Sequence, residues 1–309
     1  MDKITIVGAG RVGESAAQFI AARNMCREIV LLDIREDAAR GAALDIQEGA
    51  SLFEYDTRLI GGSDYALMSG SNLIIITAGL PRKPGMTRSD LLASNVAIAN
   101  SIIEGAMKYA ADSMILCVSN PVDIITYHTA KTTGWPRNRI FGQAGVLDSS
   151  RMASFIAMET GYSVFDTSAM VLGGHGDNMV PMLRYTTIAG IPVSNFIAQD
   201  KLEDIVERTR NGGAEILALR QNSSAYNAPA ASITEMVDAI VNDRKRLLPT
   251  VCLLEGEYGH SDIAIGVPAI LGKNGVEKII TLEMNKEETN MFNNSAALVK
   301  KDIELLKQL

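Results

Sequence analysis

A β-branched run from Lys3 to Val7 ends in Gly8-Ala9-Gly10-Arg11-Val12-Gly13 and passes at once into a helical stretch from Glu14 to Asn24. The order is strand, glycine turn, helix. Gly8 permits a tight turn, Gly10 lets the backbone approach a pyrophosphate, and Gly13 lets the helix pack on the strand, with the helix N-terminus facing the negative charge. Ala9, Arg11 and Val12 complete the same prospective phosphate turn. Glycine turns are common, so the weight of this one comes from the strand after its helix. That second apolar run, Glu28 to Leu32, ends at Asp33, twenty positions beyond Gly13. A carboxylate there accepts hydrogen bonds from a ribose diol and repels a 2′-phosphate, which predicts NAD rather than NADP. Arg35 is the neighbour that could soften this preference.

Further strands are expected at Leu73 to Thr77 and Met114 to Val118, separated by helical stretches at Ser89 to Ala110 and Val122 to Thr133. The alternation predicts an α/β fold with a parallel, doubly wound sheet. Ligands of such sheets lie beyond the carboxyl ends of the strands, where Gly79 and Val118-Ser119-Asn120 fall. The Asn120 amide either reaches a nicotinamide and a reacting substrate oxygen or simply opens an Asn-Pro turn. The loop Gly79-Leu80-Pro81-Arg82-Lys83-Pro84-Gly85-Met86-Thr87-Arg88 sets three cations among punctuating glycines and prolines. Such a loop can close over an anion at the sheet edge, or be a solvated connection.

The chain has 309 residues, enough for two lobes of about 150 each. In its second half Gly145-Val146-Leu147-Asp148-Ser149-Ser150-Arg151 leads into a helix through Thr160, with Asp148 read as its cap. Asp148 and Arg151, three apart, either form a local ion pair or serve separate partners. Downstream, Gly173-Gly174-His175-Gly176-Asp177 sets an imidazole among residues that leave room for a ligand. This marks His175 as the first choice for proton transfer among the three histidines. His128, on a helix, and His260, in a turn, read as structural. In the functional reading Asp148 binds one ring nitrogen of His175, and Arg151 grips a carboxylate through two parallel hydrogen bonds.

A net charge of -7 disfavours nucleic acid and anionic lipid as partners, and no apolar run is long enough to span a bilayer. A soluble cytoplasmic protein is expected. Cys26, Cys117 and Cys252 are scattered among apolar residues and read as reduced, buried thiols. No zinc or P-loop motif occurs, and no metal is expected.

In order along the chain, GAGRVG, the aspartate of LLDI, ITAGLPRKPGMTRSDL, VSNP, VLDSSR and GGHGD make the sequence resemble the NAD-dependent lactate and malate dehydrogenases over essentially its whole length. The resemblance implies a Rossmann domain (1–145) followed by a mixed α/β substrate domain (146–309). It implies His175 as proton donor and acceptor, Asp148 as its orienting partner, and Arg151 as anchor for the carboxylate next to the reacting carbon. Arg88 resembles the loop arginine that polarises the carbonyl. Asn95 falls at a cofactor-contacting position, and Asn120 resembles the asparagine at the substrate and nicotinamide. Arg82 is the discriminating position, where arginine rather than glutamine meets a second carboxylate. The implied reaction is reversible oxidation of malate to oxaloacetate, with another 2-hydroxy acid such as lactate as the alternative. Small Ala225 fits the larger dicarboxylate. The RKPGMTR loop is most similar to a branch that tends to form tetramers, so a homo-oligomer is expected, a tetramer before a dimer.

Overall fold

The structure, a computed structural model, describes residues 1–80 and 88–308. Its first half alternates strand and helix: β1 (Lys3–Val7), α1 (Arg11–Ala22), β2 (Glu28–Leu32), α2 (Glu36–Glu48), the short α3 (Ala50–Phe53), β3 (Arg58–Gly62), β4 (Leu73–Ile76), α4 (Arg88–Tyr109), β5 (Met114–Cys117), α5 (Val122–Thr133) and β6 (Ile140–Gly142). β2, β4 and β5 read as unbroken apolar runs because helices cover both faces of a parallel sheet. Ile4, Ile6, Ile29, Leu31, Leu73 and Ile75 are fully buried there. Each such side chain contributes about 1.5–3 kcal/mol relative to exposure.

The strands lie in the order β3-β2-β1-β4-β5-β6, all parallel, with Val7 opposite both Leu32 and Ile76. The chain winds outward from β1 in one direction and then returns to wind in the other from β4. A crevice therefore opens beyond the carboxyl ends of β1 and β4, where the glycine turn and Gly79 meet.

The three glycines of the turn differ in how tightly the backbone constrains them. Gly8 has φ +110, and a Cβ on it would lie 2.6 Å from the Ala78 nitrogen. A Cβ on Gly13 would lie 2.0 Å from the Gly8 carbonyl oxygen, so α1 can approach β1 only at glycine. Around Gly10 a Cβ would meet nothing within 4 Å. The helix itself begins at Arg11 rather than Glu14, with Gly10 as an extended cap that offers no side chain. The first turn forms as soon as the glycine turn ends, because Glu14 N–H already reaches Gly10 O at 2.9 Å. Thr77, just past β4, locks the turn by donating to the carbonyls of Val7 and Gly8 at 3.1 and 2.9 Å.

The second half comprises α6 (Gly145–Thr160), β7 (Thr167–Ser168), β8 (Val171–Gly173), β9 (Met179–Pro181), β10 (Thr187–Ile188), β11 (Ile191–Pro192), α7 (Gln199–Arg220), α8 (Asn227–Val241), β12 (Arg246–Glu255), β13 (Ser261–Gly272), β14 (Gly275–Ile279) and α9 (Lys286–Leu306). Its long strands extend the first sheet. β12 pairs antiparallel with β6, β13 with β12, then β8 and β9 follow, and β14 also pairs with β13. A separate three-stranded antiparallel sheet, β11-β10-β7, covers a satellite core that includes Met152, Ile156, Val171, Met179 and Ile188. Among the described residues, no helix is long and apolar enough to cross a membrane.

Candidate active site

β8 ends at Gly173 (φ +84), and the turn after it carries His175 to the start of β9. Two helices fix the backbone of this turn. Ser295 Oγ on α9 accepts the Gly174 N–H at 2.8 Å, and Asp123 Oδ2 on α5 accepts the His175 N–H at 2.9 Å. From α6, Asp148 meets the imidazole, with Oδ2 lying 2.8 Å from His175 Nδ1. An ionised carboxylate only accepts, so Nδ1 carries a proton and Nε2 is left for proton exchange with a ligand.

Asp148 is not the helix cap that its position before Arg151 suggests. The helix starts three residues earlier, at Gly145, and the Asp148 N–H bonds Ala144 O at 3.1 Å. A place inside the first turn directs its side chain at neighbours instead of at its own backbone. Its two oxygens form the local ion pair with Arg151 and meet His175 at the same time. Oδ2 takes His175, while Oδ1 accepts from Arg151 Nη1 at 3.2 Å. The Asp148 side chain is only 2% exposed.

Burial works against a charged His175 ring, but the Asp148 charge and hydrogen bond, with the Asp123 charge, outweigh it and the opposing Arg151. The imidazole pKa therefore lies above its ordinary value. Arg151 is itself largely buried, and its Nε is enclosed without a hydrogen-bond partner among the described residues. A Cβ on Gly212 in α7 would lie 3.2 Å from Arg151 Cδ, and one on Gly213 would lie 3.9 Å from Nη2. Two glycines inside a helix cost about 1 kcal/mol each relative to alanine, so this pair exchanges helix stability for room beside the guanidinium.

The crevice beyond β1 and β4 is lined by Gly8, Gly10, Asp33, Ile34, Ala78 and Gly79, among others. Asp33 follows the end of β2 there, with Oδ2 accepting the Ala9 N–H and Oδ1 the Arg35 N–H, each at 3.0 Å. The open space over Gly10 and the N–H groups of the first turn of α1 suit a pyrophosphate, and Asp33 suits a ribose. These residues fit a dinucleotide. Arg11 and Val12 begin α1. Arg11 lies 5.6 Å from the Tyr226 ring centroid between α7 and α8, which links the glycine turn to the second half.

At the ends of β4 and β5 several polar groups are already committed to backbone. Asn95 Oδ1 accepts from Leu80 N at 2.7 Å, while its Nδ2 donates to Asn120 O at 2.7 Å and Leu80 O at 3.2 Å. Its side chain ties two strand ends together. Ser119 Oγ donates to Ala78 O at 2.6 Å. The Val118 N–H extends the ladder to Ile76 O, and the Asn120 side chain is exposed. Asn120-Pro121 is a cis peptide. Arg82 lies outside the described residues. Arg88 opens α4 by its backbone, and its side chain likewise lies outside them.

His128 pairs with Asn100 Oδ1, and His260 with Asn293 Oδ1, so both serve as packing or turn histidines. All three cysteines are buried and free. The structure thus brings His175, Asp148 and Arg151 together and sets Gly8, Gly10 and Asp33, three of the residues expected to bind a dinucleotide, along a crevice on the sheet. Sequence reading passed over Asp123, Thr77, Ser295 and the Gly212-Gly213 pair. The adjacent glycines within a helical run were a visible signal for the last.

Residues 2–142 match the NAD binding domain of lactate/malate dehydrogenase, and residues 145–309 match the alpha/beta C-terminal domain of the same group. The chain belongs to the lactate/malate dehydrogenase family. A relative in Thioalkalivibrio sulfidiphilus, called malate dehydrogenase, is 65% identical over 99% of this chain and all of its own length. Among solved structures of this family, the apo malate dehydrogenase of Picrophilus torridus is 43% identical with a TM-score of 0.95, covering 99% of this chain and 98% of its own. A Cryptosporidium parvum lactate dehydrogenase complexed with lactic acid and nicotinamide adenine dinucleotide is 38% identical with a TM-score of 0.96, covering 100% and 98%. The family fold therefore carries both activities, and the choice between substrates rests on side chains.

Proposed function

We propose that the chain is an NAD-dependent malate dehydrogenase that interconverts (S)-malate and oxaloacetate. The observation that carries the dehydrogenase reading is the buried carboxylate of Asp148, bonded through one oxygen to His175 and through the other to Arg151. One group thereby sets both the proton-transfer ring and the anchor. Gly8, Ala9, Gly10, Arg11, Val12, Gly13 and Asp33 would hold the dinucleotide, with Val118, Ser119, Asn120 and Asn95 framing its nicotinamide end. Bound NAD supplies the hydride acceptor.

In malate oxidation neutral His175 takes the hydroxyl proton at Nε2, and Asp148 stabilises the imidazolium that results. Arg151 binds the carboxylate adjoining the reacting carbon as a planar fork. Arg88 polarises the carbonyl and Arg82 binds the distal carboxylate. The halves of this assignment divide the chain after residue 145. Supporting the malate reading are the name of the relative at 65% identity and arginine rather than glutamine at position 82. Exposed apolar side chains on α2 and α3, Leu44, Leu52 and Phe53, support a homo-oligomer, for which we favour a tetramer, working in the cytoplasm.

The test is NADH consumption with oxaloacetate and pyruvate side by side, repeated with NADPH. Oxaloacetate with NADH is expected to give the highest kcat/KM, and a preference for pyruvate overturns the assignment. Across pH the signs are fixed by the proton that His175 carries. Reduction of oxaloacetate needs the imidazolium and should fade as pH rises through a pKa that lies above the ordinary value for histidine. Oxidation of malate needs the neutral ring and should strengthen over the same range. Arg82→Gln is expected to lower kcat/KM for oxaloacetate by about 100-fold or more while raising it for pyruvate, since an enclosed carboxylate without a partner costs several kcal/mol. An unchanged ratio of the two substrates removes Arg82 from the specificity assignment.

A further inference from the structure

Asp123 lies in the first turn of α5 and is only 6% exposed. Its Oδ2 accepts the His175 N–H at 2.9 Å, and its Oδ1 is buried with no hydrogen-bond partner among the described residues. A carboxylate is a costly way to hold one amide. The neighbouring amide of Gly174 is held at 2.8 Å by the uncharged hydroxyl of Ser295. An asparagine at position 123 could accept the same bond without burying a charge.

The surroundings of Asp123 give that charge a use. The β8–β9 turn brings His175 and α6 brings Asp148 and Arg151, whereas α9 presents Ser295 and Val299 beside Gly174, neither of them charged. The Lys131–Asp262 pair belongs to the opposite end of α5. With His175 protonated, the cluster holds two cations, His175 and Arg151, against two carboxylates, Asp123 and Asp148. With the ring neutral, one negative charge is in excess. Burial, with the Asp148 charge adding to it and the His175 amide and ring opposing, pushes the Asp123 carboxyl up to about 6.

We propose that Asp123 is a second positioning carboxylate of the acid–base pair, holding the His175 backbone with one oxygen and lending its charge to the protonated imidazole. Asp148 sets the tautomer and ring orientation. Asp123 helps to set the pH at which the ring exchanges its proton, and it couples that proton to the position of the turn. This role rests on the function proposed above, because it concerns the proton that His175 transfers.

Asp123→Asn separates the two duties, since it retains an acceptor for the His175 N–H and removes the charge. The His175 titration is read by carbethoxylation with diethyl pyrocarbonate, which attacks the neutral ring, followed against pH. His175→Asn supplies the background from His128 and His260. In Asp123→Asn the His175 pKa is expected to fall by roughly half to one unit, following loss of a nearby opposite charge. The alkaline limb of oxaloacetate reduction should move down with it, and malate oxidation should extend to lower pH. Asp123→Ser, which also lacks the charge, should shift the titration in the same direction. The modification readout uses neither malate nor oxaloacetate, so it reports on Asp123 even if another 2-oxo acid proves to be the substrate. An unshifted His175 titration in the folded variants overturns the proposal, whether activity is kept or is lost equally at every pH.

Discussion

His175→Asn is expected to lower kcat in both directions by about 100- to 10,000-fold while leaving NADH binding within about twofold. The asparagine amide keeps a polar group near Asp148 but cannot cycle a proton at neutral pH. Asp148 Oδ2 now lies 2.8 Å from the ring nitrogen, so the variant must also leave this buried carboxylate with a weaker partner. Stability is expected to change far less than turnover, because the turn is held through backbone bonds to Ser295 and Asp123 that do not involve the ring. Fluorescence titration with NADH and stopped-flow turnover separate the two effects. Near-normal turnover would remove the histidine from the proton step.

The second large effect is expected at Arg151. Arg151→Gln should reduce kcat/KM for oxaloacetate by roughly 100- to several-thousand-fold, the equivalent of ~3–5 kcal/mol for breaking an enclosed ion pair by removing one partner. Two pairings are lost together, the one to a substrate carboxylate and the 3.2 Å contact with Asp148. The loss should appear mainly in KM if the anchor acts equally on bound substrate and transition state. A pH profile gives a further check. Arg151 opposes protonation of His175, so its removal should raise the His175 pKa and move the alkaline limb of oxaloacetate reduction upward, opposite to the shift expected for Asp123→Asn. Arg151→Lys retains the charge but not the planar fork, and should restore the pKa more fully than the affinity. If Arg151→Gln leaves KM unchanged, the substrate carboxylate is bound elsewhere.

Much of this site could be read from the sequence because its parts are local. β1 and β2 are legible because a parallel strand covered on both faces is mostly apolar, and the buried hydroxyl of Thr5 in β1 is satisfied by Ser71. Within the glycine turn the Gly13 requirement is local, set by the Gly8 carbonyl oxygen, whereas Gly8 is confined by the distant Ala78 backbone. The pairing of His175 with Asp148 was one of two readings of the residues, and the family resemblance favoured it, but no local pattern shows that one carboxylate reaches both His175 and Arg151. That geometry depends on α6 starting at Gly145, three residues before the expected cap. Asp123 was hidden for a related reason. It comes two positions after a conspicuous Asn-Pro turn and resembles an ordinary acidic residue in the first turn of a helix, and only the packing of α5 against the β8–β9 turn gives it a partner 52 residues away. Asn95 illustrates the converse, since its place near the cofactor crevice was foreseeable but the use of its whole amide on Leu80 and Asn120 backbone was not.

The pairing of β6 with β12 constrains how such a chain can diversify. Phe141 and Gly142 lie opposite Cys252 and Val251, so the sheet that begins at the nucleotide crevice runs on into the substrate half. The halves are therefore not interchangeable modules. Recombination that severed them would bare the apolar rim of β6, an edge prone to join other strands. On the proposed function, a new substrate preference is more easily reached by substitution at position 82 than by exchanging a half.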